Sequence, residues 1–319
     1  MKTKDLISVA DLSTAETEGI IAKALEMKRE VAPQSLSNKV LALIFEKPSL
    51  RTRVSFEVAI HQLGGYSLYL SSDEVGLGKR EPVSDVAQVL SRYVDGIIAR
   101  TFSHQTLQTL ARYSSVPVIN ALSDLEHPCQ ALADMVTICE KKGRLRGLTL
   151  AFIGDGNNVA HSLLLAASLT GVNFHIASPL SYKVKQEILQ TAEGFAARSG
   201  GRIILTEDPR QAAKDADIIY TDVWASMGQE AEAEQRRIAF AGYQVDIDLL
   251  SLAKKDVIFM HPMPAHHGEE VAVGLLDSPC SVVFDQAENR LHLQKALLAE
   301  MFLGVGRDGE QVVSFKSAS

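Results

Sequence analysis

The sequence predicts an α/β protein made of two doubly wound parallel-sheet domains joined by helices. Short apolar runs alternate with helical patterns from about residue 39 to about residue 260, which is typical of parallel sheets covered by helices. The chain has 319 residues, more than a single ordinary core accommodates. The polar segment KKGRLRG at 141–147 divides the apolar runs into two groups and marks the domain boundary.

We therefore expect a first domain over residues 1–143 and a second over residues 144–285. Residues 286–319 are expected to form a C-terminal helix that returns to the first domain, followed by a loose tail. The predicted strands are the apolar runs at 41–45, 95–99, 116–120, 148–154, 172–177, 217–222 and 256–261.

The helix expected after the first strand shows how buried faces are assigned. Phe56, Ala59, Ile60 and Leu63 fall at i, i+3, i+4 and i+7, so they share one face of a helix. The pair Gly64-Gly65 then supplies a stop signal.

Composition and charge exclude several classes of protein. The chain is 46% hydrophobic and 22% charged, which are globular values, and its net charge of −7 argues against a broad nucleic-acid surface. Its three cysteines form neither a disulfide framework nor a metal-ligand spacing, which suggests a reducing compartment. Because no apolar run is long enough to span a bilayer and the first residues lack a signal-peptide pattern, we expect a cytoplasmic protein without membrane contact.

The first candidate functional segment follows a strand and opens a helix. It is Glu46-Lys47-Pro48-Ser49-Leu50-Arg51-Thr52-Arg53. Ser49 is a plausible N-cap, and the exposed N–H groups of a helix start suit a phosphate dianion. Arg51 and Arg53 are two residues apart, so they point about 200° from each other on a regular helix. We expect one to bind the ligand and the other to be a structural anchor.

Two further polar segments follow strands of the same predicted sheet. Arg100-Thr101 follows one strand, and His127-Pro128-Cys129-Gln130 opens the helix after the next. Because ligands bind outside the carboxyl ends of parallel strands, Arg51, Arg100 and His127 should converge at one rim. Arginine gives forked donors, and histidine or glutamine addresses a single oxygen or amide, so the group suits a small planar carbonyl beside a phosphate.

The second half places unusual loops after three strands. They are Gly154-Asp155-Gly156-Asn157-Asn158, Asp222-Val223-Trp224-Ala225-Ser226-Met227-Gly228 and His261-Pro262-Met263-Pro264. The first suggests a dinucleotide site, but Val159 replaces the third glycine of that motif and no acidic residue follows the next strand. No histidine–carboxylate cluster has metal spacing, so we expect neither cofactor nor metal. A cis Met263–Pro264 bond is compatible with the third loop.

Together these residues resemble the aspartate/ornithine carbamoyltransferase family, over about residues 40 to 303. The segment 49–53 resembles the family's Ser-Thr-Arg-Thr-Arg motif, and the segment 127–130 matches its second signature. The resemblance implies a carbamoyl phosphate-binding first domain, an amino acid-binding second domain, and a homotrimer in which a loop of one subunit reaches its neighbour's site. It implies carbamoyl phosphate contacts from Ser49, Leu50, Arg51, Thr52, Arg100, His127, Gln130 and Arg290, with Arg100, His127 and Thr52 acting on the carbonyl oxygen.

The acceptor amine is decided in the second half. Aspartate brings two carboxylates, whereas the carboxylate, amide and hydroxyl offered by Asn158, Asp222 and Ser226 suit an α-ammonium and an α-carboxylate. Residues 222–228, which include Met227, also resemble the Asp-x-x-x-Ser-Met-Gly loop of the ornithine branch. The resemblance therefore implies transfer of a carbamoyl group to L-ornithine in arginine biosynthesis.

Three positions depart from that pattern. Leu50 replaces a threonine. Gly76 stands where the ornithine branch has the Gln or His that enters the neighbouring site. Lys79 aligns with the mobile-loop lysine of the aspartate branch and is our candidate to replace that Gln or His. Pro262 stands where ornithine enzymes have cysteine, in a loop where His261, Pro262 and Met263 are expected near both substrates. Aspartate, putrescine or an acylated ornithine as acceptor, a catalytically inactive regulator, and an NAD-dependent oxidoreductase are the alternatives.

Overall fold

The computed structural model describes residues 3–30, 33–225 and 230–303. Its strands are β1 Val40–Phe45, β2 Tyr66–Ser71, β3 Gly96–Arg100, β4 Val118–Leu122, β5 Thr149–Ile153, β6 Asn173–Ala177, β7 Ile203–Thr206, β8 Ile218–Thr221 and β9 Ile258–Met260. Its helices are α1 Thr14–Arg29, α2 Leu50–Gln62, α3 Ser72–Val75, α4 Val83–Leu90, α5 His104–Tyr113, α6 Pro128–Lys142, α7 Asn158–Thr170, α8 Gln186–Ser199, α9 Pro209–Ala213, α10 Ala233–Ala239, α11 Ile247–Leu250 and α12 Val283–Leu303. None of the helices within these ranges is long and apolar enough to cross a membrane.

The strands form two parallel sheets. The first has the order β2-β1-β3-β4 and the second the order β7-β6-β5-β8-β9. In each, the chain runs outward from a central strand to one edge and then returns to build the other side. This is the doubly wound arrangement that the sequence predicts, and it places switch points between β1 and β3 and between β5 and β8.

The central strands are apolar throughout because both faces of each sheet are covered. Leu41 and Leu43 of β1 belong to the core shared with α1, α6 and α12, whereas Ala42 and Ile44 point into a separate cluster on the other face. β5 alternates in the same way, and the side chain of Phe152 joins the shared core. One continuous apolar core therefore lies between the two sheets.

The last helix returns to the first sheet, as expected. α12 packs against α1, α2 and α6, and Leu293, Leu297 and Met301 lie in the shared core. The segment expected to begin a linker at residue 141 is partly helical, because α6 continues to Lys142 and ends at Gly143, whose φ of 71° favours glycine. The expected tail, residues 304–319, lies outside the described residues.

Each predicted strand is present, but the sequence analysis did not predict β2 and β7. Both lie at sheet edges, and both are only half covered: Tyr66 and Leu68 of β2 are exposed, as are Ile204 and Leu205 of β7. The face of α2 formed by Phe56, Ala59, Ile60 and Leu63 is buried as predicted.

Candidate active site at the carboxyl ends of both sheets

The start of α2 is a capped helix turn that carries two arginines. Ser49 caps the helix, its Oγ accepting a hydrogen bond from the Thr52 N–H at 3.3 Å. The two arginines of this turn diverge. Arg53 Nε donates to Glu57 Oε1 at 2.9 Å and its guanidinium lies 3.6 Å from the Tyr69 ring centre, so it is anchored within the fold.

Arg51 instead joins a group of cationic and polar side chains. It is half-buried, and its charge acts on both Arg100 and Arg290. Arg290, on α12, donates from Nη2 to Thr52 Oγ1 at 2.6 Å. Arg100, at the end of β3, is buried beside them. The fold therefore brings three arginines from distant segments to one place.

This concentration of buried charge is electrostatically costly. Burial, reinforced by Arg290 and Arg51, lowers the pKa of Arg100 to about 10, and burial lowers the pKa of Arg290 to about 10. Both remain charged at neutral pH. Within the part of the chain that the structure describes, none of the three arginines forms an ion pair, and the Nε atoms of Arg100 and Arg290 are buried without a hydrogen-bond acceptor. A bound dianion would offset that cost.

His127 and Gln130, at the start of α6, face the same group of side chains as the three arginines. Burial, together with Arg290 and Arg100, holds the pKa of His127 well below its usual value, so its imidazole is neutral. Its Nδ1 and Gln130 Oε1 are buried and have no hydrogen-bond partner among the described residues. His127 is fixed through its backbone, whose N–H donates to Ser162 Oγ at 2.9 Å. A neutral imidazole and an amide beside three arginines match the recognition of a carbonyl next to a phosphate.

The second sheet presents a buried carboxylate at its switch point. Asp222 follows β8; its Oδ1 accepts from the Val223 N–H, and its Oδ2 accepts from Asn157 Nδ2 at 2.8 Å. Burial raises its pKa, while nearby His261 and the hydrogen bond from Asn157 oppose that rise. Asn157 also caps α7, its Oδ1 accepting from the N–H groups of Val159 and Ala160. Sequence reasoning singled out Asn158 and missed the role of Asn157, although its place before a helix was an N-cap signal.

Asn158 links the two sheets instead of standing free. Its Nδ2 donates to the Ser123 carbonyl oxygen at 2.7 Å, across from β4. Arg236 of α10 is a second linking residue, which no sequence pattern marks: its Nη1 donates to Asp155 Oδ2 at 2.7 Å and to the Trp224 carbonyl oxygen at 2.8 Å. These contacts hold the loops after β5 and β8 together.

The His261 imidazole is buried, and both of its ring nitrogens contact neighbouring protein atoms. Its Nδ1 accepts from the Met263 N–H at 2.9 Å, which leaves the proton on Nε2, facing Glu270 Oε1 at 3.2 Å. The Met263–Pro264 bond is cis, and Met263 has a φ of 58°. His261 thus fixes the loop, and Pro262 and Met263 are its partly accessible members.

One cluster has the composition of a metal site, contrary to our reading of the sequence. Ligand atoms of His266, Glu269 and Glu270 lie within 4.8 Å of one another. The turn at Gly268 produces this proximity. Glu269 pairs with Arg237 at 2.8 Å, and Glu270 Oε1 accepts from the His266 N–H at 2.6 Å and faces His261. Glu270 Oε2 is buried and has no hydrogen-bond partner among the described residues.

Two further predicted site residues are exposed within this chain, and two lie outside the described residues. Leu50 is 75% exposed and Lys79 is exposed on the loop before α4, while Ser226 and Met227 lie outside the described residues. Gly76 has a φ of 59°, and a Cβ there would lie 2.8 Å from Arg80 Cβ, so the local backbone excludes the longer residue of the ornithine branch. Gly156 is pressed against the backbone of residues 182–184, which explains it without a dinucleotide.

Comparison with known proteins gives the relatives of this fold and site. Residues 4–140 match the family model of the aspartate/ornithine carbamoyltransferase carbamoyl-P binding domain, and residues 146–301 match that of the Asp/Orn binding domain. The ornithine carbamoyltransferase of Thermococcus kodakarensis is 55% identical over 306 residues, covering 95% of this chain and 97% of the relative. The anabolic ornithine carbamoyltransferase of Pyrococcus furiosus is 52% identical over 306 residues, covering 95% and 97%. A solved structure of ornithine carbamoyltransferase from Pyrococcus furiosus superposes with a TM-score of 0.92 at 52% identity, covering 95% of this chain and 98% of that one.

Proposed function

The chain belongs to the aspartate/ornithine carbamoyltransferase family, and on that premise we propose that it transfers the carbamoyl group of carbamoyl phosphate to the δ-amine of L-ornithine, giving L-citrulline and phosphate. The observation that carries the proposal is the buried group of Arg51, Arg100, His127, Gln130 and Arg290. Its unpaired donors and acceptor match a phosphate dianion joined to a planar amide.

In the proposed mechanism, the neutral amine of ornithine attacks the carbamoyl carbon. A C–N bond forms and the carbonyl oxygen becomes an oxyanion. The carbonyl then reforms as the C–O bond to phosphate breaks, and the extra proton on the nitrogen passes to the departing phosphate. We propose that Arg100, His127 and Thr52 stabilise the oxyanion. Thr52 Oγ1 accepts from Arg290, which leaves its hydroxyl proton for the substrate. Arg51 and the start of α2, capped by Ser49, hold the leaving phosphate.

The attacking amine must lose its proton before it reacts. A lysine-like amine has a pKa of about 10.4, so on the order of one molecule in a thousand is neutral at pH 7. The rate at fixed ornithine should therefore rise with pH through the neutral range. No side chain has to form a covalent intermediate.

The acceptor is distinguished by charge. Asp222 is buried, and its Oδ2 is already positioned by Asn157. A substrate ammonium compensates that carboxylate, whereas a second substrate carboxylate facing it would add several kcal/mol of repulsion and desolvation. Pro262 carries no charge and cannot reverse this preference. Ornithine is therefore favoured over aspartate, with Asn158, Ser226 and Met227 as its further proposed contacts.

The test is one assay of product and phosphate formation with ornithine, aspartate, putrescine and acetylornithine at equal concentration. We expect ornithine to be preferred by orders of magnitude. Pro262→Cys serves as the matched variant and should keep that preference while changing the rate or its pH dependence. Faster carbamoylation of any other acceptor by the parent enzyme would contradict the assignment.

We also propose that residues 1–143 bind carbamoyl phosphate, that residues 144–285 bind ornithine, and that residues 286–319 comprise the C-terminal helix that returns to the first domain and a tail. We further propose a trimeric assembly or a multiple of trimers, as the family resemblance implies; Leu50, Val54, Tyr66 and Leu68 are apolar side chains left exposed on α2 and the edge strand β2, where a subunit interface would cover them. We propose a role in arginine biosynthesis, which the anabolic relative supports, and a cytoplasmic location.

A further inference from the structure

A buried carboxylate lies behind the active site, in a position that the proposed mechanism does not use. Asp134 of α6 is fully buried, one helical turn after Gln130. Its Oδ1 accepts hydrogen bonds from Gln130 Nε2 at 2.9 Å and from Gln286 Nε2 at 2.8 Å. Its Oδ2 accepts from the Tyr220 hydroxyl at 2.9 Å. Three side chains from α6, β8 and α12 thus converge on one carboxyl group.

This contact decides which way the Gln130 amide points. Oδ1 only accepts hydrogen bonds, so Gln130 must turn its Nε2 toward Asp134 and its Oε1 away from it. That Oε1 is buried and, among the described residues, has no donor. A buried acceptor of this kind requires an N–H donor, and the NH2 of a carbamoyl group supplies one.

The orientation holds in both protonation states of Asp134. Burial raises the pKa of Asp134 to about 7, with hydrogen bonds from Gln130, Gln286 and Tyr220 opposing the rise. Because Oδ1 already accepts two N–H donors, a proton belongs on Oδ2, where the Tyr220 oxygen accepts it. The Gln130 amide therefore keeps the same direction whether or not Asp134 is ionised.

The same carboxylate reaches the loop of the second substrate. Gln286, whose Nε2 is held by Asp134, accepts at its Oε1 from the His261 N–H at 2.9 Å. His261 begins the loop that carries Pro262 and Met263. The carbamoyl side of the site and the acceptor side are thus joined through buried, fully oriented amides.

We propose that Asp134 is a positioning residue that sets the Gln130 amide to accept from the carbamoyl NH2 and, through Gln286, ties this setting to the His261 loop. This inference rests on the proposed function. Its specific consequence is discrimination between carbamoyl phosphate and acetyl phosphate, which carries a methyl group in place of the NH2 and is otherwise alike.

The experiment measures dissociation constants of both phosphates by calorimetry for the parent and two Asp134 variants. Asp134→Leu has no acceptor, so the Gln130 amide is free to turn; the preference for carbamoyl phosphate should fall about tenfold while acetyl phosphate binding changes less than threefold. Asp134→Asn should keep the preference, because its carbonyl oxygen can occupy the Oδ1 position while its NH2 donates to the Tyr220 oxygen. A role limited to packing would weaken both ligands equally.

The matched control is Thr137→Val, which removes the hydrogen bond from Asn289 Nδ2 to Thr137 Oγ1 at 3.0 Å between the same two helices, one turn further on. It should leave the ratio of the two constants unchanged. If Asp134→Leu does not fold, Asp134→Ala provides a second side chain without an acceptor. Asp134→Asn independently tests the expectation that a variant with an acceptor oxygen keeps the preference.

An unchanged ratio in a folded acceptor-free variant, or an equal loss in Asp134→Asn, overturns the inference. A parent that carbamoylates ornithine without preferring carbamoyl over acetyl phosphate also overturns it and leaves the proposed function intact. A parent without any carbamoyltransferase activity overturns the proposed function, and the inference falls with it. Gln286→Met tests the connection from Asp134 to the His261 loop. It should raise the KM for ornithine at least threefold and preserve the ratio of the dissociation constants of carbamoyl phosphate and acetyl phosphate.

Discussion

Arg51 and Arg53 are separated by one residue, yet the fold gives them different surroundings. Arg53 has an anion and an aromatic ring as neighbours, whereas Arg51 joins Arg100 and Arg290. Arg51→Ala should weaken carbamoyl phosphate binding by about 2–3 kcal/mol, or roughly 30- to 150-fold, because a dianion loses charge-assisted hydrogen bonds. Equilibrium binding to the purified variants measures this effect. Arg53→Ala is the matched control and should bind carbamoyl phosphate nearly as the parent does. A change smaller than twofold in Arg51→Ala would make Arg51 the structural residue and leave Arg53 as the ligand.

Asp222 is the residue whose charge we propose selects the acceptor. Asp222→Asn keeps the shape and one acceptor oxygen but removes the charge, so the KM for ornithine should rise tenfold or more while the dissociation constant of carbamoyl phosphate changes less than twofold. Steady-state kinetics at saturating carbamoyl phosphate measure the first quantity. Asp217→Asn is the control, because Asp217 is equally buried at the opposite end of β8. Parallel loss of both substrates would show that Asp222 is structural.

At the residue scale, the sequence indicated the charged ligands but not their partners. Arg51, Arg100, His127 and Asp222 lie at or after the ends of strands, which marked them as candidates, whereas Arg290 lies inside α12 and was named only through the family resemblance. The hydrogen bonds of Asn157, Arg236 and Gln286 join segments far apart in the chain, and no local pattern records such pairings.

At the scale of elements, the start of α6 is tied to α7 and to the N-terminal segment through Glu126. Its Oε2 accepts from the Val9 N–H at 3.1 Å and from Ser162 Oγ at 3.0 Å, and Ser162 in turn accepts from the His127 N–H. Burial raises the pKa of Glu126 to about 7, with these hydrogen bonds opposing the rise. The folded state therefore favours its protonated form.

This shift has a defined sign for stability. The contribution of Glu126 is fully present below its unfolded pKa of about 4.5 and is lost as pH rises through about 7. Relative to Glu126→Gln, the parent should lose up to roughly 3 kcal/mol of unfolding free energy between pH 5 and pH 8. Urea unfolding at both pH values measures the difference.

Glu140→Gln is the matched control for Glu126→Gln. Burial acts to raise the pKa of Glu140, but Asn289 and Lys28 outweigh it and the pKa is lowered. The stability that Glu140 contributes is therefore lost only as pH falls below its ordinary range, and its difference from the parent should stay flat between pH 5 and pH 8. A flat difference for Glu126→Gln as well would show that its carboxylate is not shifted.

Strands that are buried on both faces were predictable, including β4 and β9 at two of the sheet edges, whereas the half-exposed edge strands β2 and β7 were not. β1 and β5 read as continuous apolar runs because helices cover both sides, whereas β2 and β7 mix exposed and half-buried positions. Their pairing depends on a neighbouring strand and leaves a weak local pattern.

At the scale of the whole molecule, Lys79 tests whether sites are shared between subunits. It is exposed within its own chain, on a loop that the resemblance directs toward a neighbour. Lys79→Ala and Arg51→Ala should each be inactive alone, and subunits of the two mixed by dissociation and reassembly should regain activity in sites that contain both native residues. Mass spectrometry of the hybrids establishes that mixing took place. Verified hybrids with no regained activity would show that Lys79 serves only its own loop.

The return of α12 to the first sheet has a consequence for how activity appears during synthesis. The helix supplies Arg290 to the proposed phosphate site and Gln286 to the loop at His261, so both sheets can fold on the ribosome before the proposed site is complete. A nascent chain stopped before residue 286 has its strands but lacks two of the side chains that orient the ligands. Nascent chains should thus be retained on immobilised phosphate only when α12 has emerged. The length at which retention begins therefore reports when α12 docks onto the rest of the chain.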